Sequence, residues 1–227
     1  MKKRYVLILV FIVLFVLAVN YRYLDEKVSN LLTNRELIYI ERVIDGDTVE
    51  SGESIRLLGI NCPEKGEEYY EEAKEYLEGL VLEKNVFLEY GKERKDKYGR
   101  ILGYLFDGED NINIKMIEKG YANYYFPSGK DLYYPKFKEA WERCLATNQN
   151  LCEKSQDVCA DCIEIGYSFG KVRLSNTCYF SCNLEGWTIK GEGRDIFEVS
   201  DGNIEVGDQD TLFLRDSENK LVSWKSY

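Results

Sequence analysis

Residues 43–64, VIDGDTVESGESIRLLGINCPE, decide how the rest of the chain is read. Two apolar runs carry polar groups where a plain core would exclude them. Asp45 and Asp47 flank Gly46 among Val and Ile, Arg56 opens the second run, and Asn61, Cys62, Pro63 and Glu64 close it. Charged side chains among apolar neighbours cost free energy unless they are paired or hold a metal. Asp-Gly is also a hairpin signal, and Asp45-Gly46 alone reads as a turn. A turn does not account for the second run, which again ends in oxygen-bearing groups.

A third block lies downstream: Asp96-Lys-Tyr-Gly-Arg100, followed by the apolar run 101–106. In this order and spacing the blocks resemble the staphylococcal nuclease (thermonuclease) family, with its Asp-Gly-Asp-Thr on one strand and Arg-Leu-x-x-Ile-Asp-x-Pro-Glu on the next. The resemblance covers roughly residues 39–152. It implies a five-stranded OB-fold barrel with three helices and calcium-dependent hydrolysis of phosphodiester bonds in DNA and RNA. By resemblance, Asp47 and Asn61 ligate calcium through their side chains and Cys62 through its backbone carbonyl. Glu64 orients and deprotonates the attacking water. Arg56 and Arg100 hold the phosphate and its developing charge, a task for which a planar guanidinium suits better than an ammonium. Lys97 and Tyr98 contact a neighbouring phosphate.

One position departs from the family, which often has Asp where this chain has Asn61. The carboxamide keeps an oxygen but removes a negative charge, and calcium affinity follows ligand charge, so weaker binding is expected. Asp45 and Glu67 are the carboxylates placed to compensate through water. Simpler readings exist one residue at a time: a strand-end ion pair of Arg56 with Glu64, Arg100 as a turn residue, Asp96 and Lys97 in a solvated loop. They do not explain why all stand together.

Composition narrows the chemistry. The chain has 227 residues, room for one large or two small domains, and a net charge of −10. A nucleic-acid site on so acidic a protein is a local basic patch. There is no histidine, so a general base near neutral pH is a carboxylate, Tyr, Lys or thiol. At the start, Lys2, Lys3 and Arg4 precede an apolar run over 5–19, the pattern of a secretory signal. It is read as an uncleaved signal anchor or a cleaved signal peptide within 1–24, followed by a linker over 25–37. The flanking charges place the remainder outside the cytoplasm, membrane-anchored or secreted.

Within the nuclease-like segment, 38–152, strands are expected over 38–43, 47–50, 54–60, 85–90 and 100–106. A helix is expected over 67–82, since Tyr69, Ala73, Leu77 and Leu80 share one face. A short helix over 113–119 ends at Gly120, and a last helix over 134–147 carries the stripe Phe137, Ala140, Trp141, Cys144 and Leu145. The aromatic stretch 121–126 and Tyr133-Tyr134 stand where the family places an aromatic beside the base. Stacking on a base and packing at an edge are both open.

Residues 153–157 read as a linker. Beyond them, short strands separated by turn signals over 153–227 indicate a β-sandwich. Asn176 and Gly186-Trp187 give this part a resemblance to the lamin tail domain, an immunoglobulin-like sandwich, which implies an accessory module with no catalysis; its partner is open and a monomer is the default. Trp187 reads as core. Of seven cysteines, Cys144, Cys152, Cys159, Cys162, Cys178 and Cys182 cluster, and Cys62 stands apart, half-buried beside the site. Disulfides suit the expected compartment, with a four-cysteine zinc site as the competing reading. For the whole chain, the nuclease reading competes with a non-catalytic surface protein that captures nucleic acid through the same fold.

Overall fold

The computed structural model describes residues 5, 35–126, 129–168, 171–191, 196–199 and 211–226. The expected signal segment and linker lie outside the described residues, apart from Tyr5 and residues 35–37. No helix among the described residues is long and apolar enough to cross a membrane.

The first half is a curled sheet with three helices. Its strands are β1 (Glu36–Tyr39), β2 (Arg42–Asp45), β3 (Thr48–Ser51), β4 (Glu53–Leu57), β6 (Asn85–Lys95), β7 (Ile101–Asp107) and the short β8 (Asp110–Asn111). They run in the order β1-β6-β7-β4-β3-β2, with β8 on β7, and curl into a half-barrel consistent with an OB-fold. All pairings are antiparallel except β4 with β7. Helix α1 (Tyr70–Val81) turns Ala73, Leu77 and Val81 inward, and α3 (Tyr134–Thr147) does the same with Phe137, Ala140, Trp141 and Cys144.

Two expected strands are each split. The run 38–43 breaks at Ile40, whose N–H donates to Lys84 O (3.0 Å) and whose carbonyl accepts from Glu83 N (3.0 Å). This corner hands the chain from β6, the partner of β1, to β3, the partner of β2. The run 54–60 breaks after Leu57. Gly59 has φ 77°, and a Cβ there would lie 2.6 Å from the Phe137 ring, so only glycine fits. The chain then leaves the barrel as β5 (Gly59–Asn61) and pairs with β9 (Asn123–Tyr125), setting Asn61 opposite Asn123. Residues 121–126 are thus largely structural: Ala122, Tyr124 and Phe126 are buried, and Tyr125 is half-buried.

The helix expected from 67 begins only at Tyr70, because Glu67 is held in a turn with Glu64 (Glu67 N to Glu64 O, 2.8 Å). Helix α2 (Ile112–Glu118) starts one residue early. Asn111 caps it by accepting from Ile114 N (3.1 Å), satisfying one of the free N–H groups of the first turn. Gly120, at φ 70°, donates to Ile117 O (2.8 Å) and ends it.

The second half has a hairpin of β10 (Ile163–Ser168) with β11 (Lys171–Asn176). Beside it lies a sheet of β12 (Thr188–Lys190), β13 (Ile196–Glu198), β14 (Thr211–Arg215) and β15 (Leu221–Ser226) in the order β13-β12-β14-β15. The two share a cluster of Ile163, Ile165, Val172, Trp187, Ile189, Leu212 and Leu214. Strand β14 is buried on both faces. Its Leu212 and Leu214 face that cluster, while Phe213, with Leu221 and Trp224, joins the barrel's core. Phe213 meets Trp141 and Tyr124 at ring distances of 5.3 and 5.9 Å. Burying one such ring stabilises the junction by about 2 kcal/mol. The stretch read as a linker is hydrogen-bonded to β15: Leu221 N donates to Glu153 O (2.7 Å) and Ser155 N to Leu221 O (2.9 Å).

The clustered cysteines pair as Cys144–Cys152, Cys159–Cys182 and Cys162–Cys178. Cys62 is free but fully buried, not half-buried, because its side chain packs against Gly46 and α1's Ala73.

Candidate active site

The two blocks of residues 43–64 meet because β3 and β4 pair with Thr48 opposite Arg56. Asp47 then lies beside the Arg56 guanidinium, and both are buried. Arg56 Nη2 is 3.0 Å from Asp47 Oδ2 and 3.4 Å from Asn61 Oδ1, and Nη1 donates to Leu57 O. Asp47 Oδ2 also accepts from Cys62 N (3.0 Å), and Oδ1 from Thr48 Oγ1 (3.1 Å). A buried carboxylate is tolerable when its oxygens are taken up in this way. Arg56 therefore pairs with Asp47 and not, as the local alternative had it, with Glu64.

Arg56 and Asn61 line one end of a cleft of about 460 Å³. Asp96, Lys97, Tyr98 and Arg100 line it from the β6–β7 turn, and Tyr125 lines it from β9. That turn is tight: Gly99 has φ 84°, and Asp96 Oδ1 accepts from Tyr98 N (2.9 Å) and Arg100 N (3.0 Å). Asp96 Oδ2 takes Arg100 Nε at 2.7 Å. Burial pushes the Asp96 carboxyl up, but the hydrogen bonds from Arg100 and Tyr98 outweigh it and hold the group below its ordinary value of 3.8. Asp96 is thus the residue that aims Arg100, a role its sequence position did not announce. The Tyr98 ring is 72% exposed at the mouth, with Lys97 Nζ 5.0 Å and Arg100 Cζ 5.6 Å from its centroid. The cleft's charged lining is mixed: Arg56, Lys97 and Arg100 beside Glu93 and Asp96.

Not every expected site residue lines that cleft. Asp47 and Cys62 lie in the wall behind it. Glu64 is half-buried on the turn after β5, with its N–H donated to Glu67 Oε2 (3.0 Å). Burial, then the charge of Asp47, pushes the Cys62 thiol well above its usual value, so the sulfur stays protonated and offers no base.

The residues present suit a hard cation. The expected ligands offer oxygen throughout, the Asp47 carboxylate, the Asn61 carboxamide and the Cys62 carbonyl, and the Asp45 carboxylate lies beside them, accepting from Asp47 N (3.0 Å). Burial, then the neighbouring charge of Asp47, pushes the Asp45 carboxyl up. Across β5–β9, Asn123 has a buried Oδ1 with no hydrogen-bond partner among the described residues. Elsewhere, the sulfurs of Cys159, Cys178 and Cys182 lie within 4.8 Å of one another, a spacing that would also suit a metal ion were the two disulfides reduced.

Comparison with known proteins gives a family for this part of the chain. The model of the staphylococcal nuclease homologues fits residues 54–153. A thermonuclease of Staphylococcus intermedius is 30% identical over 139 residues, 56% of this chain and 83% of that protein. The chain belongs to the staphylococcal nuclease family. A thermonuclease of Staphylococcus hyicus is 28% identical over 161 residues, 63% of this chain and 94% of its own length. An uncharacterized endonuclease of Escherichia coli is 37% identical over 103 residues, 42% of this chain and 65% of its own. These relatives support a nuclease function for the nuclease half of the chain, and the family match ends at residue 153.

Proposed function

We propose that this staphylococcal nuclease homologue is a calcium-dependent phosphodiesterase that acts outside the cytoplasm on DNA and RNA. Asp47, Asn61 and the Cys62 carbonyl would hold the cation, which when bound supplies Lewis-acid stabilisation of charge on the phosphoryl oxygens. Arg56, aimed by Asp47, and Arg100, aimed by Asp96, approach the phosphate from two ends of one cleft. Their N–H forks are fixed before substrate arrives, so little reorganisation is needed as charge develops. Glu64 takes the proton of the attacking water. The Tyr98 ring and Lys97 hold the strand at the mouth. The N-terminal segment anchors or exports the protein, and the C-terminal half is a lamin tail-like accessory module.

The observation that carries this reading is the convergence of Arg56, Asn61 and Arg100 on one cleft with Asp47 locked behind them. The test is turnover of single-stranded DNA by the full chain, with calcium and with a chelator, beside Glu64→Gln. Loss of a general base lowers the rate on the order of 10²–10⁴-fold. Turnover that survives the chelator, or an active Glu64→Gln, overturns the mechanism. Salt-sensitive binding without turnover moves the protein to the capture class.

A further inference from the structure

The turn that carries Glu64 is gripped from outside the barrel. Glu67 closes it at both ends: its N–H donates to Glu64 O (2.8 Å), and its Oε2 accepts from Glu64 N (3.0 Å). The same Oε2 takes Lys190 Nζ at 2.7 Å. Lys190 belongs to β12, 123 residues further along the chain, and is only 8% exposed. Two further contacts follow on the next residues. Asn219 Nδ2 donates to Glu68 Oε2 (2.9 Å), and Lys220 Nζ reaches Tyr69 Oη (3.5 Å) and Glu153 Oε2 (2.7 Å).

The turn that carries Asn219 and Lys220 is itself hydrogen-bonded in place. Asp216 Oδ1 accepts from Glu218 N and Lys220 N, each at 2.9 Å. Buried Arg215 donates to Asn219 O (3.1 Å) and to Leu151 O (2.8 Å). The Glu64 turn's own hydrogen bonds run through Glu67 or the backbone beside it: Glu67 N to Glu64 O, Glu64 N to Glu67 Oε2 and Tyr70 N to Glu67 O (3.4 Å). Tyr69 enters α1 with φ 67°, a left-handed conformation for a non-glycine residue, and gives the helix no side-chain cap. Such a conformation persists only where its surroundings impose it.

We propose that the C-terminal half braces the catalytic turn, and that Lys190 is a positioning residue for Glu64, acting through Glu67. This rests on the nuclease reading given above. A general base misplaced by about 1 Å costs on the order of 10²-fold in rate, so a brace on its backbone acts on kcat. The phosphate clamps Arg56 and Arg100 lie on other elements and keep their partners, so KM is spared.

The test compares the full chain with Lys190→Met, Lys190→Arg, Glu67→Gln and the double variant Lys190→Met/Glu67→Gln. Kinetics on single-stranded DNA in calcium are read beside hydrogen exchange of residues 64–69. The expected result for Lys190→Met is a kcat lowered about 10- to 100-fold, with KM within about twofold and faster exchange at the turn. Lys190→Arg restores most of kcat, and the double variant is no slower than Glu67→Gln. A Lys190→Met kcat within about twofold of the parent, or unchanged exchange at 64–69, overturns the brace. So does a Lys190→Arg variant that regains thermal stability but not kcat. If the parent chain does not turn over at all, the nuclease reading fails, and the exchange comparison still decides the brace.

Discussion

Arg56 and Arg100 reach the same cleft, and the chain holds them by opposite means. Arg56 is buried in the barrel wall, its guanidinium shared among Asp47, Asn61 and the Leu57 carbonyl. Arg100 stands at the end of the β6–β7 turn, paired with Asp96 and beside the Tyr98 ring, with its side chain 22% exposed. The first arginine is part of the fold, since removing it strands a buried carboxylate. The second is part of a loop, and its loss leaves nothing buried without a partner. The Arg56 end of the cleft is therefore tied to the stability of the barrel, while the Arg100 end rests on the β6–β7 turn.

The comparison breaks most readily at Arg56. Arg56→Met is expected to abolish turnover and to lower stability by about 3–5 kcal/mol, because Asp47 is left as an unpaired buried charge. Urea unfolding measures it, and a loss below about 1 kcal/mol would mean that Arg56 is not locked into the fold. Arg100→Lys should leave stability within about 1 kcal/mol of the parent. It should still lower kcat/KM on the order of 10²-fold, since an ammonium does not present the two-pronged donor. Equal losses of stability at the two positions would erase the distinction.

Asp96→Asn sharpens it further, with the smallest effect. The Asp96 carboxyl is held below its unfolded value of 3.8. Its pairing with Arg100 therefore contributes stability that is full above that value and is lost as pH falls through the folded one. The stability difference between parent and Asp96→Asn should be constant above about pH 5 and shrink toward zero below about pH 3. A difference that grows on acidification would reverse the sign and remove Asp96 as the group that aims Arg100.

Much of the site was legible because charges inside apolar runs are costly and so conspicuous. Asp47 and Arg56 stood out on that ground, Asn61 as a polar group closing the second apolar run and Arg100 through the resemblance's third block, and the structure gathers them at one cleft and the wall behind it. Helix α3 was legible for a local reason: Pro135 opens it, Asn148 closes it in the left-handed conformation, and its apolar stripe is regular. Asp96 was not legible, since an acid before Lys-Tyr-Gly looks like any solvated turn until Arg100 folds back onto it. The break at Gly59 was missed because an apolar run does not say where its strand changes partners. That choice is made by the Phe137 ring, which leaves no space for a Cβ. The Cys62 burial escaped for a similar reason, since Gly46 and Ala73 come to it from other elements.

By itself the sequence determined the kinds of residue at the site, the order of most elements and which residues of each strand share a face. These follow from periods of two and 3.6 residues and from the cost of misplaced charge, all readable within a short window. Only the tertiary structure decided which face meets which. It put Arg56 on Asp47, turned Phe213 into the barrel while Leu212 and Leu214 faced away, and set Lys190 on Glu67. Hydrophobic burial has no direction, so strand alternation in β14 specifies two buried faces without naming their partners. The partner is chosen by the packing of the whole chain, and so is the hold on the turn that bears Glu64.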